Sequence, residues 1–314
     1  MFVVCGEALF DVFLAGDVGP ASPVLPLSAR VGGSPFNVAI GLARLGRPAA
    51  LLTGLSTDFL GDRLAAVLAA ENVSDRLIVR KSAPTTLGLV SLGRGGAPAY
   101  AFYGDGAADR ALTAADLPAD LGATDCLHFG SYALVAQPTA GALATLAARE
   151  KGRRFISLDP NVRPGVEPDI DLWREQVALF AAAADLIKIS DEDMALLYPG
   201  ADPERQATDW LDQGARTVAF TQAERGVTVW TSETRVDTPA AAVEIVDTVG
   251  AGDAFQAALL SALLADGAGV PWDAGRVGKA ARFATAAAAL TCARRGADLP
   301  RRAEIETFLS EMPD

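Results

Sequence analysis

The sequence predicts an α/β fold: a three-layer α/β/α domain with a mostly parallel central sheet, plus a small β-sheet lid. Three observations carry this. Short apolar runs alternate with helix-like stretches of roughly 10–15 residues, the spacing of βαβ units whose strands are covered on both faces. Glycine turns sit where predicted strands hand over to predicted helices, at 32–33 and 250–252. Two regions, about 12–31 and 84–104, are β-like with no helix between their strands, so they pair into a separate small sheet. The 314 residues read as one domain, 1–314, with the lid formed by those two regions.

The elements follow in order. FVVCGEALF reads as one buried strand. A Pro/Gly-rich stretch from Gly16 to Pro26 leads to a helix from Ser34 to Leu45. AALLTGLS is a strand and Asp62 to Glu71 a helix. TTLGLVSLG and PAYAFYG are lid strands joined by the turn RGGA. CLHFGSYAL is a strand, and Pro138 to Lys151 a helix with proline near its start. FISLDPN is a strand, Leu172 to Ala184 a helix, DLIKIS a strand and Glu192 to Tyr198 a short helix. TVAFTQ, VTVW and VEIVD are strands, and Asp253 to Ala265 and Asp273 to Cys292 are the last strong helices.

Composition narrows the function. The chain has 27 basic against 39 acidic residues, a net charge of -12. That excludes a nucleic-acid-coating protein or a polybasic membrane-surface protein, both of which need a basic face. It leaves phosphorylated ligands open, because backbone amides at helix starts hold phosphate without side-chain charge. No basic-then-apolar leader opens the chain, and no apolar run reaches the ~18–20 residues of a membrane span. A cytoplasmic protein is expected. Cys5, Cys126 and Cys292 are scattered among apolar residues without a C-x-x-C, so they read as buried thiols. His128, the only histidine, sits in apolar CLHFG and reads as a core residue.

The chemistry lies at the glycine junctions, since ligands of open α/β sheets bind at the carboxyl ends of strands. In VEIVDTVGAGDAF a strand ends at Asp247, Gly250, Ala251 and Gly252 form a turn, and a helix begins at Asp253. Small residues let successive amides converge on one anion at the positive end of a helix dipole. The P-loop pattern is absent, and the dinucleotide pattern fails at Phe255. A carboxylate at such an anion hole suits a base beside a hydroxyl that accepts a phosphoryl group. Aspartate is equally a common helix cap. A second junction, VGGSPFN, puts Gly32 and Gly33 before a helix that carries Asn37 on its first turn, where an amide can bond to a polyol. Ser34 there also reads as a cap, with Pro35 at the first helical position. Asp11, just after the first strand, either accepts from ligand hydroxyls or is a solvated loop carboxylate.

Together these pieces resemble the ribokinase-like, or PfkB, carbohydrate kinases. DTVGAGDAF at 247–255 is similar to that family's C-terminal signature, and GGSPFNVAIGLARLG at 32–46 to its N-terminal one, in the family's order. The resemblance runs over essentially the whole chain and implies a sheet domain with a β lid, ATP as donor and Mg2+. LDPNVRP at 158–164 and AFYGDGAADRAL at 101–112 look most like bacterial fructokinases. Ketodeoxygluconate kinases place an arginine after the paired aromatics, where this chain has Gly104, which favours a neutral sugar.

The resemblance also implies roles. Asp253 is the base, and Gly250, Ala251 and Gly252 form the anion hole. Asp11, Gly32, Gly33, Asn37, Phe102 and Arg163 hold the sugar. Lys188, Ser190, Thr221, Gly226 and Thr285 lie on the nucleotide, with Gly250 and Gly252. Asp193 organises Mg2+ through water, in the place of a family glutamate. Ala223 replaces a glycine of the nucleotide loop, and Thr285 stands where ribokinases often have asparagine. Asp247 and Thr248 form a monovalent-cation site, with K+ as the ion. The expected reaction is D-fructose and ATP to D-fructose 6-phosphate and ADP. The alternatives are ketodeoxygluconate, ribose or another small sugar, or a silent sugar- or nucleotide-binding protein. The lid's exposed edges make a homodimer through the lid an expectation.

Overall fold

Strand β1 (Phe2–Cys5) shows why the central sheet is covered twice. Phe2 and Val4 join one hydrophobic core and Val3 and Cys5 the other, and all are buried. Alternate side chains of a strand point to opposite faces, so a run apolar at every position needs a layer on each side. The computed structural model describes residues 1–15, 21–92, 98–267, 269 and 272–312. The turn RGGA and the stretch 16–20 lie outside the described residues.

The chain continues through β2 (Leu9–Leu14), β3 (Leu27–Gly32), α1 (Ser34–Arg44), β4 (Ala49–Ser56), α2 (Phe59–Ala70) and β5 (Ile78–Lys81). Next come β6 (Leu87–Leu92), β7 (Pro98–Tyr103), β8 (Cys126–Gly130), α3 (Thr139–Glu150), β9 (Phe155–Asp159) and α4 (Ile170–Ala181). The rest is β10 (Leu186–Ser190), α5 (Asp191–Leu197), α6 (Pro203–Asp212), β11 (Thr217–Thr221), β12 (Val227–Thr231), β13 (Arg235–Thr238), α7 (Ala251–Leu263), α8 (Ala274–Cys292) and α9 (Arg302–Glu311).

Nine strands form the central sheet in the order β13-β12-β11-β10-β9-β8-β1-β4-β5. Strands β5 to β11 of that order run parallel, and only the β12–β13 edge is antiparallel. Helices α1, α2, α7, α8 and α9 supply one core, and α3, α4, α5 and α6 the other. Four strands, β3-β2-β6-β7, form the lid sheet. No described helix is long and apolar enough to cross a membrane.

Several expectations need correction. FVVCGEALF is not one strand: Gly6, at φ +147°, breaks it, and β2 departs into the lid, so the lid begins at Leu9. A Cβ on Gly6 would lie 2.5 Å from Pro35 Cγ. CLHFGSYAL is a strand only to Gly130, followed by a 3₁₀ turn at Ser131–Leu134. VEIVD is not a strand. Ile245 and Val246 are exposed, and the amides of Val246 and Asp247 bond to the Cys292 carbonyl at the end of α8. Helix α7 starts at Ala251, not Asp253. The sequence reading missed β5, β13, α6 and α9. The two helices are set by their caps: Asp202 before Pro203 in α6, and Glu304 reaching back to the Arg301 amide in α9.

His128 fits its expectation and the cysteines do so in part, since Cys292, the last residue of α8, is only half-buried. Cys5 and Cys126 are buried free thiols, and burial raises both. His128 is buried against Ser157 and Gln256, and burial pushes its pKa down to about 3.

The lid returns to the main sheet through the segment after β7. A Cβ on buried Gly54 in β4 would lie 2.0 Å from the Ala108 carbonyl oxygen, so strand and return segment need glycine there. Gly54→Ala is expected to lower unfolding stability by about 3 kcal/mol, read from urea titrations.

Candidate active site

The sheet order reverses beside β1, whose neighbours are β4 and β8. Such a switch point leaves a crevice at the carboxyl ends of the strands. Glu7 follows β1 there, Ser131 follows β8, Asp159 ends β9 and Ser190 ends β10. The N-termini of α1 and α7 meet at the same place. Gly33 precedes α1 at φ +103°, and a Cβ on it would lie 2.9 Å from the Glu7 carbonyl oxygen. Gly250 precedes α7 at φ +81°, with its missing Cβ 2.6 Å from the Ala297 methyl.

Asp253 is buried between these helices. It is not a cap: Gly250 holds the cap position, and no side chain caps α7. Ser34 Oγ donates to Asp253 Oδ1 at 2.6 Å, and Asn37 Nδ2 donates to Oδ2 at 2.8 Å. Ser34 is likewise not a cap but the first residue of α1, after Gly33. One turn on, a Cβ on Gly41 would lie 2.8 Å from the Ala257 methyl. That close approach of α1 and α7 lets short side chains bridge them. Burial raises the proton affinity of Asp253; Ser34, Asn37, Arg163 and Lys188 pull it back.

A second charged group lies beneath the glycine turn. Lys188 Nζ bonds Asp159 Oδ2 at 2.9 Å, both buried. The same Nζ is 3.4 Å from where a Cβ of Gly252 would sit, so it backs the glycine turn. Asp159, Asp193 and Asp253 keep Lys188 protonated against its burial. Burial lifts Asp159 to about 6, with Lys188 opposing. Asp193 Oδ1 accepts from the Val162 amide at 2.9 Å, holding the loop that carries Arg163. Ser190 caps α5, accepting from the Asp193 amide.

The lid supplies Asp11 and Phe102. Asp11 is not in a loop but inside β2. Gly32 gives it room, since a Cβ there would lie 2.4 Å from Asp11 Oδ2. Phe102 sits over Gly88 and against Gly165, 6.4 Å from the Tyr132 ring centre. Burial, opposed by Arg163 and assisted by Asp253, pushes Asp11 up to about 6.

Nearby, buried Asp109 accepts from Thr86 Oγ1 and Tyr132 Oη, tying lid to sheet. Glu7 is buried and pushed up to about 7, chiefly by that burial. Gly104 does not leave an empty place. The Arg110 guanidinium fills it, 2.6 Å from the absent Cβ and stacked 4.9 Å from the Tyr132 ring centre. Arg110 Nε and Nη2 are buried without a hydrogen-bond partner among the described residues.

The predicted nucleotide residues lie further along the strand ends. Thr221 ends β11, and Gly226 opens β12 at φ +95°, where a Cβ would lie 2.1 Å from the Thr238 carbonyl oxygen. Ala223 between them holds φ +46°. Thr285 Oγ1 donates to the Arg282 carbonyl of its own helix. Asp247 accepts from the Val249 and Gly296 amides, and Thr248 accepts from the Ala251 amide through its carbonyl. The sequence reading missed Ser34 as a partner of Asp253, and Asp159, Glu7 and Arg110. The strand-ending acids were legible from position; Ser34 and Arg110 were not.

A model of the pfkB family of carbohydrate kinases matches residues 2–304. The chain belongs to that family. A fructokinase of Rhizobium leguminosarum bv. trifolii is 40% identical over 85% of this chain and 80% of its own. The structure of fructokinase with bound ATP from Xylella fastidiosa aligns over 99% of this chain and 98% of its own, with TM-score 0.87 and 26% identity. That of fructokinase from Vibrio cholerae O395, bound to fructose, ADP and calcium ion, covers 98% of each chain with TM-score 0.84 and 26% identity. Asp253, the glycine turn before α7 and the residues Asp11 and Phe102 of the small sheet thus converge on one crevice of a carbohydrate-kinase fold.

Two predictions follow from the site. Asp11 and Glu7 bind protons more tightly folded than unfolded. The ligand-free protein therefore loses stability as pH rises from about 4 to about 7. Asp11→Asn is expected to reduce that loss by about 2 kcal/mol, measured by urea unfolding across the range. Ala223→Gly relieves a left-handed alanine and is expected to stabilise by about 1 kcal/mol in the same assay.

Proposed function

We propose that the protein transfers the γ-phosphoryl group of ATP to the 6-hydroxyl of D-fructose. The observation that carries this reading is Asp253, a buried carboxylate held by Ser34 and Asn37 at two converging helix N-termini. The 40% identity to a fructokinase selects the sugar.

Asp253 accepts the proton of the sugar hydroxyl as its oxygen bonds to phosphorus. Burial raises its affinity for that proton. The amides of the Gly250–Asp253 turn, the α7 dipole and Lys188 behind Gly252 receive the negative charge on the phosphoryl group. Asp11 accepts from the sugar hydroxyls, Asn37 orients Asp253 beside them, and Gly32 and Gly33 give room to the Asp11 carboxylate and the Glu7 backbone that shape this end of the site. Phe102 covers the ring from the lid and helps exclude water, the competing acceptor. Thr221 and Gly226 carry the nucleotide loop. Thr285, its hydroxyl turned to its own helix, offers adenine its methyl and oxygen lone pairs.

Asp159 and Asp193 fit a divalent ion held through water. Asp159 Oδ1 is buried without a partner among the described residues, and Asp193 has one oxygen beyond its Val162 bond. Mg2+ there supplies neutralising charge to the nucleotide phosphates. A monovalent cation such as K+ at Asp247 and Thr248 would share a carboxylate that already accepts two amides. Among the described residues no three acidic, cysteine or histidine groups come together closely enough to hold a metal ion by themselves, so each ion would depend on ligand oxygens as well.

One observation favours a second reading, an acidic sugar such as 2-keto-3-deoxygluconate. The place of Gly104 holds the Arg110 guanidinium, which could meet a carboxylate. A coupled ADP-release assay across fructose, ribose and ketodeoxygluconate separates the two. Turnover on fructose well above the others is expected, and turnover confined to ketodeoxygluconate refutes the first. Asp253→Asn is expected to lower kcat by about 10²–10⁴-fold with fructose affinity kept. Near-normal turnover in that variant would remove Asp253 from the base role.

A further inference from the structure

We propose that Arg30 of the lid is a catalytic residue whose guanidinium binds the transferring phosphoryl group and completes the anion hole of the Gly250–Gly252 turn. The inference rests on the kinase reading above.

A single cross-strand row runs through the lid. Phe102 on β7 is in register with Gly88 on β6, Gly88 with Asp11 on β2, and Asp11 with Arg30 on β3. Residues in direct register place their side chains on one face of a sheet. Here that is the face over the catalytic carboxylate. The proton affinity of Asp11 responds to both Arg163 and Asp253, and the Phe102 ring lies over Gly88 beside it. The row therefore reads ring, gap, acceptor, cation. The first three match the apolar face and hydroxyls of a sugar. The fourth lies past the sugar, on the side of the glycine turn.

Contacts of Arg30 fix that side. It forms no ion pair with Asp11. Its Nη1 lies 2.6 Å from where a Cβ of Gly296 would be, and its guanidinium carbon is 5.7 Å from the Phe13 ring centre. Gly296, at φ +71°, donates its amide to Asp247 Oδ2 at 2.7 Å. The next residue, Ala297, is the one against which Gly250 packs. Arg30 is thus seated on the loop that abuts the first residue of the anion hole, and the bare Gly296 gives it the seat.

Charge accounting points the same way. Asp11, Asp159, Asp193 and Asp253 line this crevice against two cations, Arg163, which acts on Asp11 and Asp253, and Lys188, already bonded to Asp159. A phosphoryl group in transit spreads negative charge over its equatorial oxygens. A planar guanidinium matches two of those oxygens at once and keeps its charge throughout. Arg30 only donates hydrogen bonds. The proton goes from the sugar hydroxyl to Asp253, the sugar O–P bond forms, the bond from the γ-phosphorus to the bridging oxygen breaks, and ADP leaves.

The test compares wild type, Arg30→Gln, Arg30→Lys and Gly296→Ala in steady-state assays with fructose and ATP. Fructose affinity by calorimetry without nucleotide and the thermal unfolding midpoint accompany them. Arg30→Gln is expected to lose roughly 10²-fold in kcat, the scale of one lost transition-state donor, with fructose affinity and unfolding unchanged. Arg30→Lys recovers part of the loss, and Gly296→Ala, which unseats the guanidinium, reproduces part of it. A kcat for Arg30→Gln within about twofold of wild type overturns this inference alone. So does a loss of fructose affinity that accounts for the whole defect, which would make Arg30 a lid latch. Absence of phosphoryl transfer by wild type overturns the kinase reading, and this inference with it.

Discussion

Everything in the site depends on one buried carboxylate being held by two helices distant in sequence. Asp253 on α7 takes hydrogen bonds from Ser34 and Asn37 on α1. An unpaired buried carboxylate would cost several kcal/mol or protonate. Two short donors offset part of that cost, while burial still raises its affinity for a proton. The short donors work only because the helices touch, and they touch because Gly41 faces Ala257 one turn along each. The alanine-rich α7–α8 packing is then not compositional drift. It keeps α7 flush with its neighbours while the acidic end faces the crevice.

The lid uses the same economy of contacts. Its strands bring no cluster of charge; they bring one row. Asp11 sits at about 6 because the lid half-covers it and Asp253 lies opposite. Burial disfavours the ionised form of Asp11, so on the proposed sugar-binding role a hydroxyl donated to it would offset part of that cost. Asp109 fixes the hinge of this arrangement, joining Thr86 at the start of β6 to Tyr132 after β8. The small sheet is therefore anchored beside the crevice at Asp109, while Leu14 at the end of β2, Leu27 at the start of β3 and Leu25 just before it are exposed.

The layered sheet and the two glycine junctions that meet at Asp253 were legible from the sequence because both follow from pattern. Doubly buried strands read as apolar runs, and glycine junctions mark where backbone must approach a ligand. What was hidden has physical causes. The division of FVVCGEALF is made by Gly6 against Pro35, a long-range contact inside a uniformly apolar run. VEIVD has the composition of a strand, yet its amides are spent on the Cys292 carbonyl. β13 is short, polar and at an edge, so it carries no alternation to read. The Asp253 constellation was half visible. The aspartate and Asn37 stood out at their junctions, but Ser34 looked like a cap because capping and bridging use the same hydroxyl.

Gly104 and Arg110 carry the sharpest lesson about specificity. Absence of an arginine at one position suggested a neutral pocket, but a guanidinium arrives there from six residues on. A missing Cβ is room, and protein interiors do not leave room unfilled. The charge of a subsite is thus a property of the space and not of the residue aligned with it. Arg110 stacks on Tyr132, whose hydroxyl is given to Asp109, so part of its charge is answered by the hinge itself. The charge at the place of Gly104 is therefore offset in part by Asp109 and, at 3.8 Å, by Asp105, which is the electrostatic condition a neutral sugar would need there.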